Sequence, residues 1–218
     1  MKTLKIFALL LLASVAANAQ SSTDVSGVTK SALPDTFQNV LNLAQMTFLM
    51  PKGAMPIPIV KNKQMHYEYA ITFKDQPFEV RYSIAPVGYT VAEAYTGGKG
   101  ITPHKEAKVE DEFGAKVTST VVAMNVAGGR PTQGMGSNPF PPEAVKKEFG
   151  ADWGSTTIIP IGNNSFGTEY KFCVMVTLFK KDVATAYVMY LSDTRENVVK
   201  LMGELVAKTG GFYALKFK

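Results

Sequence analysis

The sequence predicts a single α+β domain in which an antiparallel sheet of about six strands lies sandwiched between helices on both faces. Three observations carry this. Two long C-terminal strands are apolar on both side-chain parities, with Phe172, Val174 and Val176 on one and Cys173, Met175 and Phe179 on the other. A strand apolar on both faces must be covered on both faces. Helix-period stripes occur on either side of these strands in the chain. Finally, 218 residues that are 46% hydrophobic and 19% charged supply one good-sized core, able to bury roughly 70% of the unfolded surface. The same figures exclude disordered, disulfide-stapled, zinc-ribbon and repeat architectures.

Residues 1–19 read as a signal peptide. Lys2 and Lys5 precede an apolar run from Ile6 to Ala17, and Ala17-Asn18-Ala19 offers small residues at the cleavage positions. That run of about 12 residues is short of the roughly 20 needed to span a bilayer. No cysteine lies nearby for lipid attachment. The mature protein is therefore expected to be periplasmic or secreted, with no transmembrane segment after cleavage. Residues 20–34, Ser/Thr-rich and aperiodic, read as a flexible leader, and residues 35–218 as one domain.

Within the domain, Phe37, Val40, Leu41 and Ala44 have helical spacing after Asp35. Thr47 to Met50 is extended and stopped by Pro51, the first of three prolines in an irregular strap. Tyr67, Tyr69, Ile71 and Phe73 alternate with His66, Glu68, Ala70 and Thr72. After the turn at 74–77, Phe78, Val80, Tyr82 and Ile84 alternate with Glu79, Arg81 and Ser83. This is a hairpin, with Glu68, Glu79 and Arg81 expected on its outer face. Residues 89–104 read as a glycine-rich loop. Phe113, Val117, Val121 and Met124 predict an amphipathic helix in spite of β-branched content. Gly128 to Pro142 reads as a Gly/Pro loop, and Glu143 to Phe149 as a short helix entered through Pro142 and closed by Gly150. Strands follow at 156–159, 170–179 and 183–191. A helix comes next, with Asp193 and Glu196 as a capping pair and Val198, Leu201, Met202 and Leu205 as its stripe, then a closing strand at 212–217.

The segment Phe48, Met50, Pro51, Gly53, the ending Tyr213, Leu215, Lys216, Phe217 and the order of elements between them resemble the PsbP-like family, which includes exported bacterial proteins. The resemblance implies a sheet sandwiched by helices and an assembly or binding role without a shared catalytic centre. It assigns no functional residue to a position in this chain.

Catalytic motifs are missing from the sequence. His66 and His104 lack metal-binding spacing, no G-x-S-x-G occurs, and Cys173 lies in an apolar run that favours a core thiol. No metal or cofactor is expected. Losing Lys2 and Lys5 lowers the formal charge of +5 by two, and the remaining basic residues alternate with acids. Nucleic acid is not an expected partner. Gly128-Gly129-Arg130 lacks the Lys-Ser/Thr pair of a phosphate loop and follows a helix. Asn163-Asn164-Ser165 fits a glycosylation sequon but reads as turn chemistry.

The lone tryptophan, Trp153, stands between Gly150 and Gly154. It either covers the core at a helix end or forms a ligand platform, with Asp152 as acceptor and Arg130 as anion partner. Tyr67, Tyr69 and Tyr82 extend an aromatic groove or fill the hairpin core. These features predict a non-catalytic periplasmic accessory protein. It would bind a protein or small ligand of the cell envelope through the Gly/Pro loop and the Trp153 region. Two other readings stay open: an exported hydrolase using Asp152 with Glu143 or Glu148, and a structural or stress-response envelope protein.

Overall fold

The computed structural model describes residues 33–104, 111–129, 135–162, 165–209 and 214–218. The signal segment, most of the leader, Arg130, Asn163 and Asn164 lie outside the described residues, as does the side chain of Leu205.

Helix α1 (Asp35–Leu43) buries Phe37, Val40 and Leu41, the stripe its spacing predicts. It leads into β1 (Met46–Phe48) and β2 (Ala54–Pro56). The hairpin follows as β3 (Tyr69–Phe73) and β4 (Glu79–Pro86). Residues 89–104 are not wholly loop, because α2 (Val91–Tyr95) forms there. Its nucleus is a capping box: Thr90 Oγ1 accepts from Glu93 N–H, and the Glu93 carboxylate accepts from Thr90 N–H. Such a reciprocal pair satisfies two orphan donors and can hold even a single turn.

The middle helix α3 (Glu112–Val126) starts where Asp111 Oδ1 accepts from Gly114 N–H at 2.7 Å. Part of the Gly/Pro loop forms an edge strand, β5 (Gly136–Pro139), with four exposed residues. Its backbone ladder to the next strand needs no apolar side chains, so periodicity could not reveal it. Helix α4 (Pro142–Phe149) begins at Pro142 and ends at Gly150, which adopts φ 63°. Strand β6 (Trp153–Pro160) starts three residues earlier than expected. A 3₁₀ turn at Ser165–Gly167 precedes β7 (Phe172–Lys180) and β8 (Ala184–Ser192). Helix α5 (Arg195–Thr209) is capped by Thr194, whose Oγ1 accepts from Asn197 N–H at 3.1 Å. That displaces the expected Asp193–Glu196 pair by one position. Strand β9 (Leu215–Phe217) closes the chain.

Seven strands form one antiparallel sheet in the order β2-β3-β4-β8-β7-β6-β5, and β1 pairs with β9 in a separate two-stranded sheet. Parity assigns the layers. Tyr69, Ile71, Val80, Tyr82, Val174, Val176, Val188 and Tyr190 share a buried cluster with residues of α1, α4 and α5. Their sequence neighbours Ala70, Cys173, Met175, Tyr187 and Met189 cluster instead with Ala123 and Val126 of α3. Helices therefore cover both faces, as the two-sided apolar strands require.

The expected outer face of the hairpin is not wet. Arg81 is 1% exposed and Glu68 3%. A break in alternation contributes: Glu68 N–H donates to the carbonyl of Tyr82, while Tyr69 is the ladder partner of that same Tyr82. Two residues thus face one, a bulge. Tyr67 consequently joins the cluster under α3, away from Tyr69.

Gly150 shows how tightly the small sheet docks. A Cβ built on it would stand 2.8 Å from the Phe217 carbonyl oxygen. Gly150→Ala is expected to cost about 1–2 kcal/mol for the left-handed backbone plus about 1–3 kcal/mol for the overlap. Gly53→Ala, also at positive φ but with nothing within 4 Å, incurs only the backbone cost. Urea denaturation of the two variants checks the ordering.

Candidate functional site

Trp153 is only 9% exposed and packs with Ala115 of α3 and Phe179 of β7. The ammonium of Lys116 sits 5.9 Å from the centre of its ring. The indole is therefore roofed by the first turns of α3. Asp152 is exposed, and its polar atoms are committed to the β7–β8 turn: Oδ2 accepts from Lys181 N–H at 2.9 Å, and its own N–H donates to Phe179 O at 2.8 Å. Glu143 is exposed, and Glu148 lies 4.0 Å from the Lys147 ammonium. No hydrogen bond or ion pair joins any two of Glu143, Glu148 and Asp152 among the described residues. Tyr69 and Tyr82 fill the core with α1, where Phe37 stacks on Tyr69 at 4.8 Å.

The helix above Trp153 is turned inside out relative to expectation. Its buried residues are Ala115, Ser119, Ala123 and Val126. Phe113, Val117 and Val121, the bulky members of the predicted stripe, are 74%, 48% and 48% exposed. Both stripes have helical spacing; the smaller one faces the sheet, where Ser119 meets Thr177, Oγ to Oγ1 at 2.8 Å. An outward apolar ridge at i, i+4 and i+8 is left, with Lys116 and Glu112 paired beside it at 2.6 Å.

Two buried charges were not anticipated as buried, and each has its own environment. Arg81 is clamped. Its guanidinium lies between the Tyr67 and Phe166 rings, 4.6 and 4.5 Å from their centres. Nε donates to Glu79 Oε1 at 2.5 Å, Nη1 donates to the Phe166 carbonyl, and Nη2 donates to the Gly167 carbonyl at 3.3 Å. This pins the 3₁₀ turn, in which Phe166 holds φ 57°. Glu68 has no ion-pair partner among the described residues. It accepts from Ile84 N–H at 2.9 Å and from Tyr95 Oη at 3.3 Å. Burial pushes its carboxyl up to about 7, against the pull of those two hydrogen bonds. Tyr95 is pushed up to about 12 by its own burial and then by the Glu68 charge. Alternation hid both, since each falls on the polar parity of a hairpin arm.

The histidines remain apart from any cluster. His66 is exposed, and His104 Nε2 lies 3.0 Å from Glu93 Oε1. Among the described residues no three His, Cys, Asp or Glu side chains gather to hold a metal ion. Cys173 is fully buried, and desolvation raises its thiol far from thiolate character. No helix among the described residues is long and apolar enough to cross a membrane. Comparison with known proteins adds no relative, since no family model, curated protein or solved structure matches the chain.

Two outcomes test this geometry. Arg81→Ala leaves the two carbonyls and Glu79 without their donor and should cost about 3–5 kcal/mol in urea denaturation. Trp153 fluorescence should be blue-shifted and resistant to iodide quenching, as expected of an indole under α3. Emission typical of water would contradict the packing.

Proposed function

We propose that the chain is an exported, non-catalytic accessory protein that binds a protein of the cell envelope. Its contact surface is the ridge Phe113, Val117 and Val121 together with the Gly128–Pro142 segment that follows α3. The observation that carries this reading is the inverted helix. A helix on a soluble domain ordinarily turns its bulkiest apolar residues inward, and here they face out as a contiguous ridge. Exposed apolar patches of this kind commonly serve interaction. The segment after the helix adds exposed backbone at β5, on the open edge of the sheet. Trp153 belongs to the same region as the buried floor beneath α3. The PsbP-like resemblance implies the same accessory role.

The test is capture of partners from a periplasmic extract. Phe113→Ser, Val117→Ser and Val121→Ser combined should abolish specific capture while shifting stability little, because exposed substitutions usually stay within about 0.5 kcal/mol each. A protein that captures the same partners with the ridge polar would refute the surface. Circular dichroism shows whether the variant is folded.

A further inference from the structure

The strap at residues 49–63 runs along the β2 edge of the large sheet and keeps apolar side chains outside the core. Outside α3, the large apolar side chains exposed among the described residues are Val91, alone, and Leu49, Met55, Ile59 and Val60, all within this strap. Lys52, Lys61 and Lys63 stand exposed beside them and enter no ion pair among the described residues. No Asp or Glu occurs between Asp35 and Glu68. Acids on adjoining segments have basic neighbours of their own: Glu79 pairs with Arg81, Asp75 follows Lys74, and Glu169 is two residues from Lys171.

The backbone of the strap is anchored. Ile57 N–H donates to Ala70 O at 3.0 Å, and Val60 N–H donates to Tyr67 Oη at 2.7 Å. Asn62 Oδ1 accepts from the amides of Gln64 and Met65, both at 3.0 Å. Pro56 and Pro58 fix φ between these anchors. The exposed side chains are therefore presented at little cost in chain entropy. The same prolines close the edge to strand pairing. Ile57 bonds toward β3, so positions 54 and 56 point outward, with Pro58 beyond them. Ala54 N–H already donates to Pro51 O at 3.1 Å, and neither proline has an N–H. A strand added from a peptide or a second copy would find no donor there.

We propose that the 49–63 strap is a docking surface for an anionic lipid bilayer. Met55, Ile59 and Val60 enter the boundary of the acyl chains, and Lys52, Lys61 and Lys63 lie at the headgroup phosphates. A cluster of one charge sign is drawn to a surface of the other. A fluid bilayer takes up apolar side chains without demanding a matching shape or a hydrogen-bond ladder. Lysine suits the arrangement, since its stem can lie along apolar surface while the ammonium reaches the headgroups. The contact is peripheral and requires no spanning helix. It does not depend on the α3 ridge, because α3 packs on β6 and β7 while the strap flanks β3.

Flotation of the full chain with vesicles tests the proposal, using phosphatidylcholine alone or mixed with an equal part of phosphatidylglycerol. The chain should bind the anionic vesicles, ignore the neutral ones and release as salt is raised. Lys52→Gln, Lys61→Gln and Lys63→Gln combined should weaken binding about 100-fold, or about fivefold per lysine. All three positions are exposed, so the variant keeps its fold. Because Cys173 is buried, a thiol-reactive fluorophore on Ile59→Cys reports on that position alone, and its emission should shift to the blue on anionic vesicles. Four results would each overturn the proposal: no binding to anionic vesicles, equal binding to neutral ones, undiminished binding by the lysine variant, or binding that leaves the label at 59 in water. The first is the outcome if a protein covers the strap instead, and the last is the outcome if residues 1–19 make the attachment.

Discussion

The constraint on which the structure depends is the central pair β7 and β8. Every residue of β8 is buried, and so are the seven inner residues of β7. Neither face can meet water, so the chain must provide two covers, and they differ in depth. On one face α1 lays Phe37 into an aromatic cluster with Phe48, Tyr69 and Tyr82. On the other, α3 offers Ala115, Ser119, Ala123 and Val126. With that stripe turned to the sheet, Phe113, Val117 and Val121 fall on the opposite side of the helix and face out.

Burial on both sides also decides how charge is tolerated. A charge away from water is held only when its lost hydration is replaced. Arg81 has replacements in full: two carbonyls, a carboxylate and two ring faces. Glu68 has two neutral donors and no cation among the described residues. The first arrangement fixes a turn, and the second leaves burial to push the carboxyl up to about 7.

The fold class was legible because two-sided apolar strands and helical stripes are properties of sequence alone. The hairpin register, α1, α4 and the β7–β8 pair follow from spacing. What spacing could not reveal were features made by backbone or by competition. Strand β5 is a ladder of Gly, Ser, Asn and Pro with no apolar signature. The bulge at Glu68 resets alternation, sending Tyr67 across the sheet. In α3 two stripes compete, and the choice between them depends on the sheet opposite. Helix α2 was readable in principle, since Thr90-Val91-Ala92-Glu93 is a capping-box pattern, but its five residues are too few for periodicity. For the candidate site, the sequence singled out Trp153 without showing that a helix would lie over it.

The pairing of β1 with β9 bears on how such a chain reaches its final form. Thr47 and Lys216 are neighbours across 169 positions, and Leu215 and Phe217 help seal the cluster around Phe37. Contacts of such long range close late, because the loop entropy must be met before they contribute. A polypeptide delivered amino end first cannot complete its aromatic layer until residues 215–217 have emerged. Until that moment the nascent chain lacks the strand that pairs with β1 and closes this layer.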